Sequence, residues 1–357
     1  MKIYLILVSF IFNYAQLNAQ CNGMNSLCSK KYNEVAYLTT HNAFNSAQDN
    51  FNLPNQNLNI TSQLNDGVRA LMIDVYDDNG TTVVYHGFSF LGSAPLVDFL
   101  TEIKTFLDNN PNEIVSIIFE SHTTAEAIEA DIIQSNLFSY LYSHNGTWPS
   151  LQSMIYDGTR LVVFSEEDDG SSMQTWYHYI WDYTVETDYS ANSLNDLDCD
   201  YNRGDPANDL FLLNHFVTSL AGTGLENESL SANSNPYFLN RVQQCYQETG
   251  KFPNFIAVDF YELGDAKSVV DQLNENTISS LRNIDNSTLS IYPNPALNYI
   301  QVAGLTQTEA YIIHDILGKE LIEGTISNNE KVDIQDLSNG VYFLKIGNVK
   351  SIKFINE

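Results

Sequence analysis

Between Tyr32 and about Leu281, short apolar, β-branched runs alternate with helical stretches. Such alternation, sustained over this length, constrains the chain to layers of helices around a largely parallel sheet. Strands are expected over residues 35–39, 70–75, 82–85, 114–119, 160–164, 210–213 and 255–260. Helices are expected over 94–107, 125–136 and 236–247. The pattern predicts an α/β barrel, in which chemistry sits where strands end. His41, Asp74, His86, Glu120, Glu166, Asn214 and Asp259 all fall at or just past expected strand ends. Two histidines on such a rim can serve one reaction as base and acid.

The region after about Asn286 differs in texture. Short alternating runs at 299–302, 310–315, 331–334 and 340–346, separated by Gly and Asn turns, predict a small all-β sandwich. Its histidine, His314, lies in a strand-like run and is read as structural, as are His122, His144 and His178. The expected organisation is a signal peptide over 1–20, a barrel over 21–281, a linker over 282–288 and a β domain over 289–357.

The first residues carry Lys2, then an apolar stretch from Ile3 to Phe12, then Ala19 before an expected cleavage site. That is the layout of an export signal, too short to span a bilayer. Lipid attachment at Cys21 is disfavoured because Gln20 stands where a small residue is needed. Four cysteines in an exported chain fit disulfides. Of three possible pairings, Cys21–Cys28 with Cys199–Cys245 is expected. Zinc is the weaker competitor, because there is no Cys-x-x-Cys.

The formal net charge is −28, from 44 acidic and 16 basic residues. No Lys/Arg stripe is available to neutralise phosphates, which excludes nucleic acid as a partner. The same charge opposes adhesion to an anionic membrane. The segment Phe88-Ser89-Phe90-Leu91-Gly92, just after His86, is expected to pack under the following helix. Its alternative role is transient contact with a membrane surface.

Two stretches resemble known families. Ile291-Tyr292-Pro293-Asn294-Pro295, Ile316-Leu317-Gly318-Lys319 and Leu337-Ser338-Asn339-Gly340-Val341-Tyr342-Phe343 resemble the sorting domain of the type IX secretion system. That resemblance implies the type IX machinery as a partner and a secreted or surface-attached product. Thr39-Thr40-His41-Asn42-Ala43-Phe44, residues 63–74, His86, Asn112-Glu113-Ile114-Val115 with Glu120, and residues 253–261 resemble the phosphatidylinositol-specific phospholipase C X-domain superfamily. The likeness is to its plant-type branch.

The second resemblance implies a TIM-type barrel that cleaves a phosphodiester of a phospholipid or inositol. His41 would take the proton of a neighbouring substrate hydroxyl, His86 would protonate the leaving oxygen, and Asp259 would orient His41. Calcium-dependent members would hold the metal with Asn42, Asp74 and Glu120, but Met72 stands in place of a further acid and is a poor ligand for a hard cation. Metal-independent members place an arginine where this chain has Tyr76. The expectations are therefore a weakened calcium site or an arginine, Arg69 or Arg203, on the phosphate, with Asn214 as a further substrate contact. Competing readings are a phosphodiesterase acting on a glycosyl-phosphatidylinositol anchor or glycerophosphodiester, and an inactive surface-binding module.

Overall fold

The computed structural model describes residues 20–168, 174–219, 223–275, 290–303, 305, 308–316, 318–346 and 350–356. The expected signal peptide, apart from Gln20, and the expected linker lie outside the described residues. The described residues form two compact units, divided between 277 and 278.

The first unit runs β1 (Tyr37–Thr40), α1 (Ile60–Asn65), β2 (Ala70–Asp78), β3 (Thr81–Val84), β4 (Ala94–Pro95), α2 (Leu96–Asn109) and β5 (Val115–His122). It continues with α3 (Ala125–Gln134), α4 (Leu151–Asp157), β6 (Leu161–Ser165), β7 (Tyr177–Tyr179), β8 (Thr184–Thr187) and β9 (Tyr201–Gly204). It ends with β10 (Leu210–Asn214), α5 (Glu226–Asn233), α6 (Tyr237–Thr249), β11 (Phe255–Val258) and α7 (Ala266–Glu275).

The sheet order is β7-β6-β5-β2-β1-β11-β10-β8-β9, with β3 and β4 as a hairpin extension of β2. Every neighbouring pair from β7 through β8 is parallel. The barrel is open: β7 and β8 do not pair among the described residues, and only the turn Ile180–Asp182 joins them in sequence. Strands β7, β8 and β9 escape a reading by apolar runs. In β8 the inward positions are Thr184 and Glu186, so the apolar signal is missing.

The outer helices follow from spacing. In α2 the buried residues are Leu96, Phe99, Leu100, Ile103, Phe106 and Leu107, one face of a 3.6-residue period. Thr124 caps α3 by accepting from the Ala127 N–H. Gly250 ends α6 in a left-handed conformation that costs glycine little.

Inside, Tyr37, Ala70, Met72, Ile118, Phe164, Leu212, Phe255 and Ala257 pack into one core with Tyr32 and Trp148. Tyr32 stacks on Trp148 at 4.8 Å and its hydroxyl meets Ser116 Oγ at 2.6 Å. His178 belongs to this region: its Nδ1–H donates to Val163 O at 2.7 Å and its Nε2 accepts from the His144 N–H. Burial pushes His178 down to about 4. Both histidines are structural, as expected. Disulfides join Cys21 to Cys28 and Cys199 to Cys245.

The second unit holds two antiparallel sheets. One is β12 (Ser290–Tyr292), β13 (Tyr299–Ala303) and β16 (Lys331–Asp333); the other is β15 (Glu320–Ile326), β14 (Glu309–His314), β17 (Gly340–Ile346) and β18 (Lys350–Asn356). Alternate residues such as Ile300, Val302, Ile313, Val332, Leu344 and Ile346 form their common core. His314 is half-buried on β14.

Candidate active site

Strand alternation decides which side chains enter the barrel mouth. Residues two positions beyond core residues point the same way. Tyr37 therefore leads through Thr39 to His41, Met72 to Asp74, Ile118 to Glu120, Phe164 to Glu166, Leu212 to Asn214 and Ala257 to Asp259. Register confirms the grouping: Asp74 pairs with Glu120, and Leu212 with Glu186. His41, Glu166 and Asp259 stand one residue past their parallel strands and Asn214 is the last residue of β10, while Asp74 and Glu120 sit inside β2 and β5, which run on to Asp78 and His122.

His41 continues the ladder between β1 and β11 by donating its N–H to Val258 O at 3.0 Å. Its Nδ1 lies 2.9 Å from Asp259 Oδ1, and Asp259 is fully buried. Asn55 Nδ2–H supports the other carboxylate oxygen at 3.1 Å. A carboxylate only accepts, so the ring proton belongs on Nδ1 and the lone pair on Nε2. Asn42 Nδ2–H donates to that Nε2 at 3.2 Å.

His86 is arranged in parallel fashion. Its Nδ1 lies 3.0 Å from Asp74 Oδ2, and Asp74 is buried. Asn42 Nδ2 also approaches His86 Nδ1 at 3.3 Å, so this one amide sits between the two rings. The ring centroids are 6.5 Å apart. Phe216, just past β10, lies flat against His41 with centroids 3.9 Å apart and planes within 4°.

Beside Asp74, Tyr76 is stacked between Tyr85 at 3.8 Å and His122 at 4.5 Å, and His122 Nε2 meets Glu120 Oε1 at 3.2 Å. His122 is thus on the rim rather than in the structural background. It is legible from the two-residue step past Glu120.

Across the open side of the barrel, Arg203 on β9 binds two carboxylates. Its Nη1–H donates to Glu166 Oε2 at 2.6 Å and its Nε–H to Glu186 Oε1. Its guanidinium also lies over Trp181 and Tyr189. Burial pushes the Glu166 carboxyl up to about 7, against the pull of Arg203 and with help from Glu186 and Glu120. Burial raises Glu186 as well, opposed by Arg203 and Asn214.

Three expectations need correction. Arg69 precedes β2 and so lies at the opposite end of the strand from Asp74. Its guanidinium bonds Glu113, Leu64 O and Val68 O and lies over Phe106, which makes it a structural brace. Arg203 is at the mouth, but its charge is already shared between Glu166 and Glu186. Asn214 is buried and donates to Glu186 Oε2 and Thr187 O, so it props Glu186 rather than presenting itself to a substrate.

The residues expected to hold calcium do come together, as a set weakened by the histidine partners of its two acids. Asp74 is engaged by His86 and Glu120 by His122, while Met72 turns its thioether into the core. Calcium takes six to eight oxygens. Among the described residues no group of three or more His, Cys, Asp or Glu side chains is placed to hold a metal. No step is derived through one. The segment after His86 also departs from expectation: Phe88 and Phe90 are 63% and 78% exposed instead of packing under α2.

Behind β10, His215 is fully buried against Phe238. Its Nε2–H donates to Ala232 O, and its Nδ1 accepts from Arg241. Burial and the adjacent Arg241 push it down to about 3. Arg241 in turn donates to Leu197 O and Asp198 O, next to the Cys199–Cys245 bridge. This buried network carries the loop that presents Phe216 to His41.

The PI-PLC X family model matches residues 27–274, and a secretion system C-terminal sorting domain model matches residues 290–356. A PI-PLC X domain-containing protein of Arabidopsis thaliana is 29% identical over 68% of this chain and 61% of its own length. An uncharacterized secreted protein of Arthroderma benhamiae is 26% identical over 71% of this chain and 62% of its own. The chain thus spans about three fifths of these two relatives. Among solved structures, the phosphatidylinositol-specific phospholipase C of Staphylococcus aureus superposes with a TM-score of 0.51 at 16% identity, over 70% of this chain and 95% of that one. That likeness concerns the fold. Among the described residues, no helix is long and apolar enough to cross a membrane.

Proposed function

The chain belongs to the PI-PLC X family, and from that membership we propose that it is an exported phosphodiesterase that cleaves phosphatidylinositol by attack of a substrate hydroxyl on phosphorus. One observation carries the reading: two histidines, each bonded through Nδ1 to a buried aspartate, face one mouth with ring centroids 6.5 Å apart. A lone histidine of this kind serves many structural roles. With both Nδ1 atoms held by carboxylates, proton transfer in opposite directions falls to the two Nε2 atoms, His41 Nε2 exchanging its Asn42 contact for the substrate hydroxyl.

In the proposed reaction His41 Nε2 accepts the proton of the hydroxyl next to the phosphate. That oxygen bonds to phosphorus while the bond to the glycerol oxygen breaks. His86 Nε2–H protonates the departing oxygen, leaving a cyclic phosphate and diacylglycerol. Asp259 and Asp74 hold the tautomers and stabilise the imidazolium forms. Holding the nucleophile on the same molecule as the phosphorus removes much of the entropic barrier. Base and acid each contribute roughly 10²- to 10⁴-fold.

The lining supports a polyhydroxyl head group. Glu120 is half exposed at the mouth and Glu166 is paired with Arg203 beside it, while Asp74, Asp259 and Glu186 lie buried beneath. Carboxylates accept hydrogen bonds from ring hydroxyls and repel additional phosphates. The sorting domain supports export through the type IX machinery.

Phosphorus NMR of the full chain acting on phosphatidylinositol tests the proposal. A cyclic inositol phosphate resonance that disappears with His41→Ala and with His86→Ala is expected. Parental turnover in either variant would sink the mechanism. No turnover of phosphatidylinositol, with cleavage of glycerophosphoinositol or a glycosylated anchor, would move the substrate assignment.

A further inference from the structure

We infer that Gly224 is a positioning residue for His41: it closes the Asp259 carboxylate from water, so that Asp259 holds the imidazole in one orientation, a role that rests on the phosphodiesterase reading. A Cβ added to Gly224 would stand 2.9 Å from Asp259 Oδ2, 2.8 Å from the Phe260 ring and 3.3 Å from Asn55 Cα. Gly224 lies outside the left-handed region, so its backbone would accept a side chain. The space around the carboxylate would not.

Three groups enclose that carboxylate. Oδ1 meets His41 Nδ1 at 2.9 Å, Oδ2 accepts from Asn55 Nδ2–H at 3.1 Å, and Gly224 packs against Oδ2. Asp259 is 0% exposed as a result. A hydrogen bond to a carboxylate is stronger where water does not compete for it. A side chain at position 224 would push Oδ2 aside. Because the carboxylate is rigid, that movement also swings Oδ1 away from the imidazole.

The backbone that carries Gly224 is anchored to the pair it covers. After Gly224, α5 runs to Asn233, whose Nδ2–H donates to Asp259 O at 2.9 Å and to Phe260 O at 3.4 Å. Before it, two short arms are tied together. Thr218 and Gly224 form an antiparallel bridge, and Ser219 N–H donates to Thr223 O at 3.0 Å. Thr218 N–H also donates to Ala191 O at 2.9 Å, which fixes the first arm to the barrel. One arm lays Phe216 on the face of the His41 ring, and the other sets Gly224 on Asp259. The connection from β10 to α5 thus grips both members of the pair. Since Asp259 is fully buried, Gly224 acts through it and not on a bound ligand.

The test is proton NMR of the full chain beside kinetics on phosphatidylinositol. In the parent, His41 Nδ1–H should give a resonance downfield of the amides that exchanges slowly with water and disappears in His41→Ala. Gly224→Ala should shift or broaden that resonance. It should lower kcat roughly 10- to 100-fold and leave KM within about twofold, because a displaced base is felt at proton transfer. In an Asp259→Asn background the same substitution should cost no more than about twofold further, since the contact it disturbs is already altered. Phe260→Leu removes the ring atom nearest the added Cβ and leaves Oδ2 in its path. Gly224→Ala should therefore stay impaired in that background, which also gives the methyl group room to fold if the single variant does not. Recovery there would assign the effect to packing on Phe260 and overturn the proposal. So would a rapidly exchanging or absent parent resonance, or a Gly224→Ala chain with that resonance unmoved or kcat unchanged. A parent without turnover would sink the phosphodiesterase reading alone, because the resonance still reports the contact with Asp259.

Discussion

Phe216 lies parallel to the imidazole of His41, 3.9 Å from it, so the ring that would accept the substrate proton is held on its edge by Asp259 and on its face by an aromatic wall. Phe216 itself is buried and rests on the loop secured by His215 and Arg241.

Replacing Phe216 with Leu keeps an apolar side chain there but removes the flat contact. The expected outcome is a fall in kcat of about tenfold with little change in KM, because ring orientation matters at the step of proton transfer. Thermal unfolding should shift only slightly. An unchanged kcat would show that Asp259 alone suffices to hold the ring.

Asp259→Asn and Asp74→Asn each replace an acceptor by a group that can donate, which allows the opposite tautomer on the bonded histidine. Each variant is expected to lose roughly 10²- to 10⁴-fold in kcat/KM while remaining folded, by analogy with carboxylate–histidine pairs elsewhere. Steady-state kinetics beside circular dichroism would check this. Retained activity in Asp259→Asn would remove that residue from the mechanism.

Thorough chelation should leave turnover within about twofold of the untreated enzyme. Asp74 and Glu120 each have one oxygen bonded to a histidine, and Met72 points into the core, so calcium is offered a weakened donor set and the proposed proton chemistry runs through the histidines alone. Loss of activity in chelator, restored by added calcium, would reverse this conclusion.

The buried His178 gives a stability prediction with a defined sign. Its folded value is pushed down to about 4 by burial, below the ordinary value of 6.5. Between these limits the unfolded chain binds the proton and the folded chain does not. Its contribution is therefore present above pH 6.5 and lost as pH falls toward 4. Relative to the parent, His178→Gln should flatten the unfolding free energy over that window by about 1.4 kcal/mol per pH unit. Urea denaturation at several pH values would measure it, and parallel curves would refute it.

The histidine pair was legible because each ring closes an apolar run, and position along a strand survives folding unchanged. Asp74, Glu120, Glu166 and Asp259 were legible for the same reason. The arginines were not. A guanidinium reaches several ångströms from its own backbone, so sequence position says little about where its charge goes. Arg69 turned out to brace the far end of β2, and Arg203 to serve Glu166 and Glu186. Strand β8 was hidden because its inward side chains are polar, and Phe216 because a lone phenylalanine after a strand reads as core. The exposed pair Phe88 and Phe90 is illegible for the opposite reason: apolar composition alone does not say which side of a loop faces water.

The open edge between β7 and β8 gives the barrel an unusual fastening. Elsewhere around its circumference, neighbouring strands are joined by backbone hydrogen bonds, which ignore ionic strength. At the seam the span from the end of β6 to β8 is made instead by Arg203 and its two carboxylates. The girth of the mouth is therefore set at that point by side-chain charge. Neutralising Arg203, Glu166 or Glu186 would loosen this clasp without unzipping any strand.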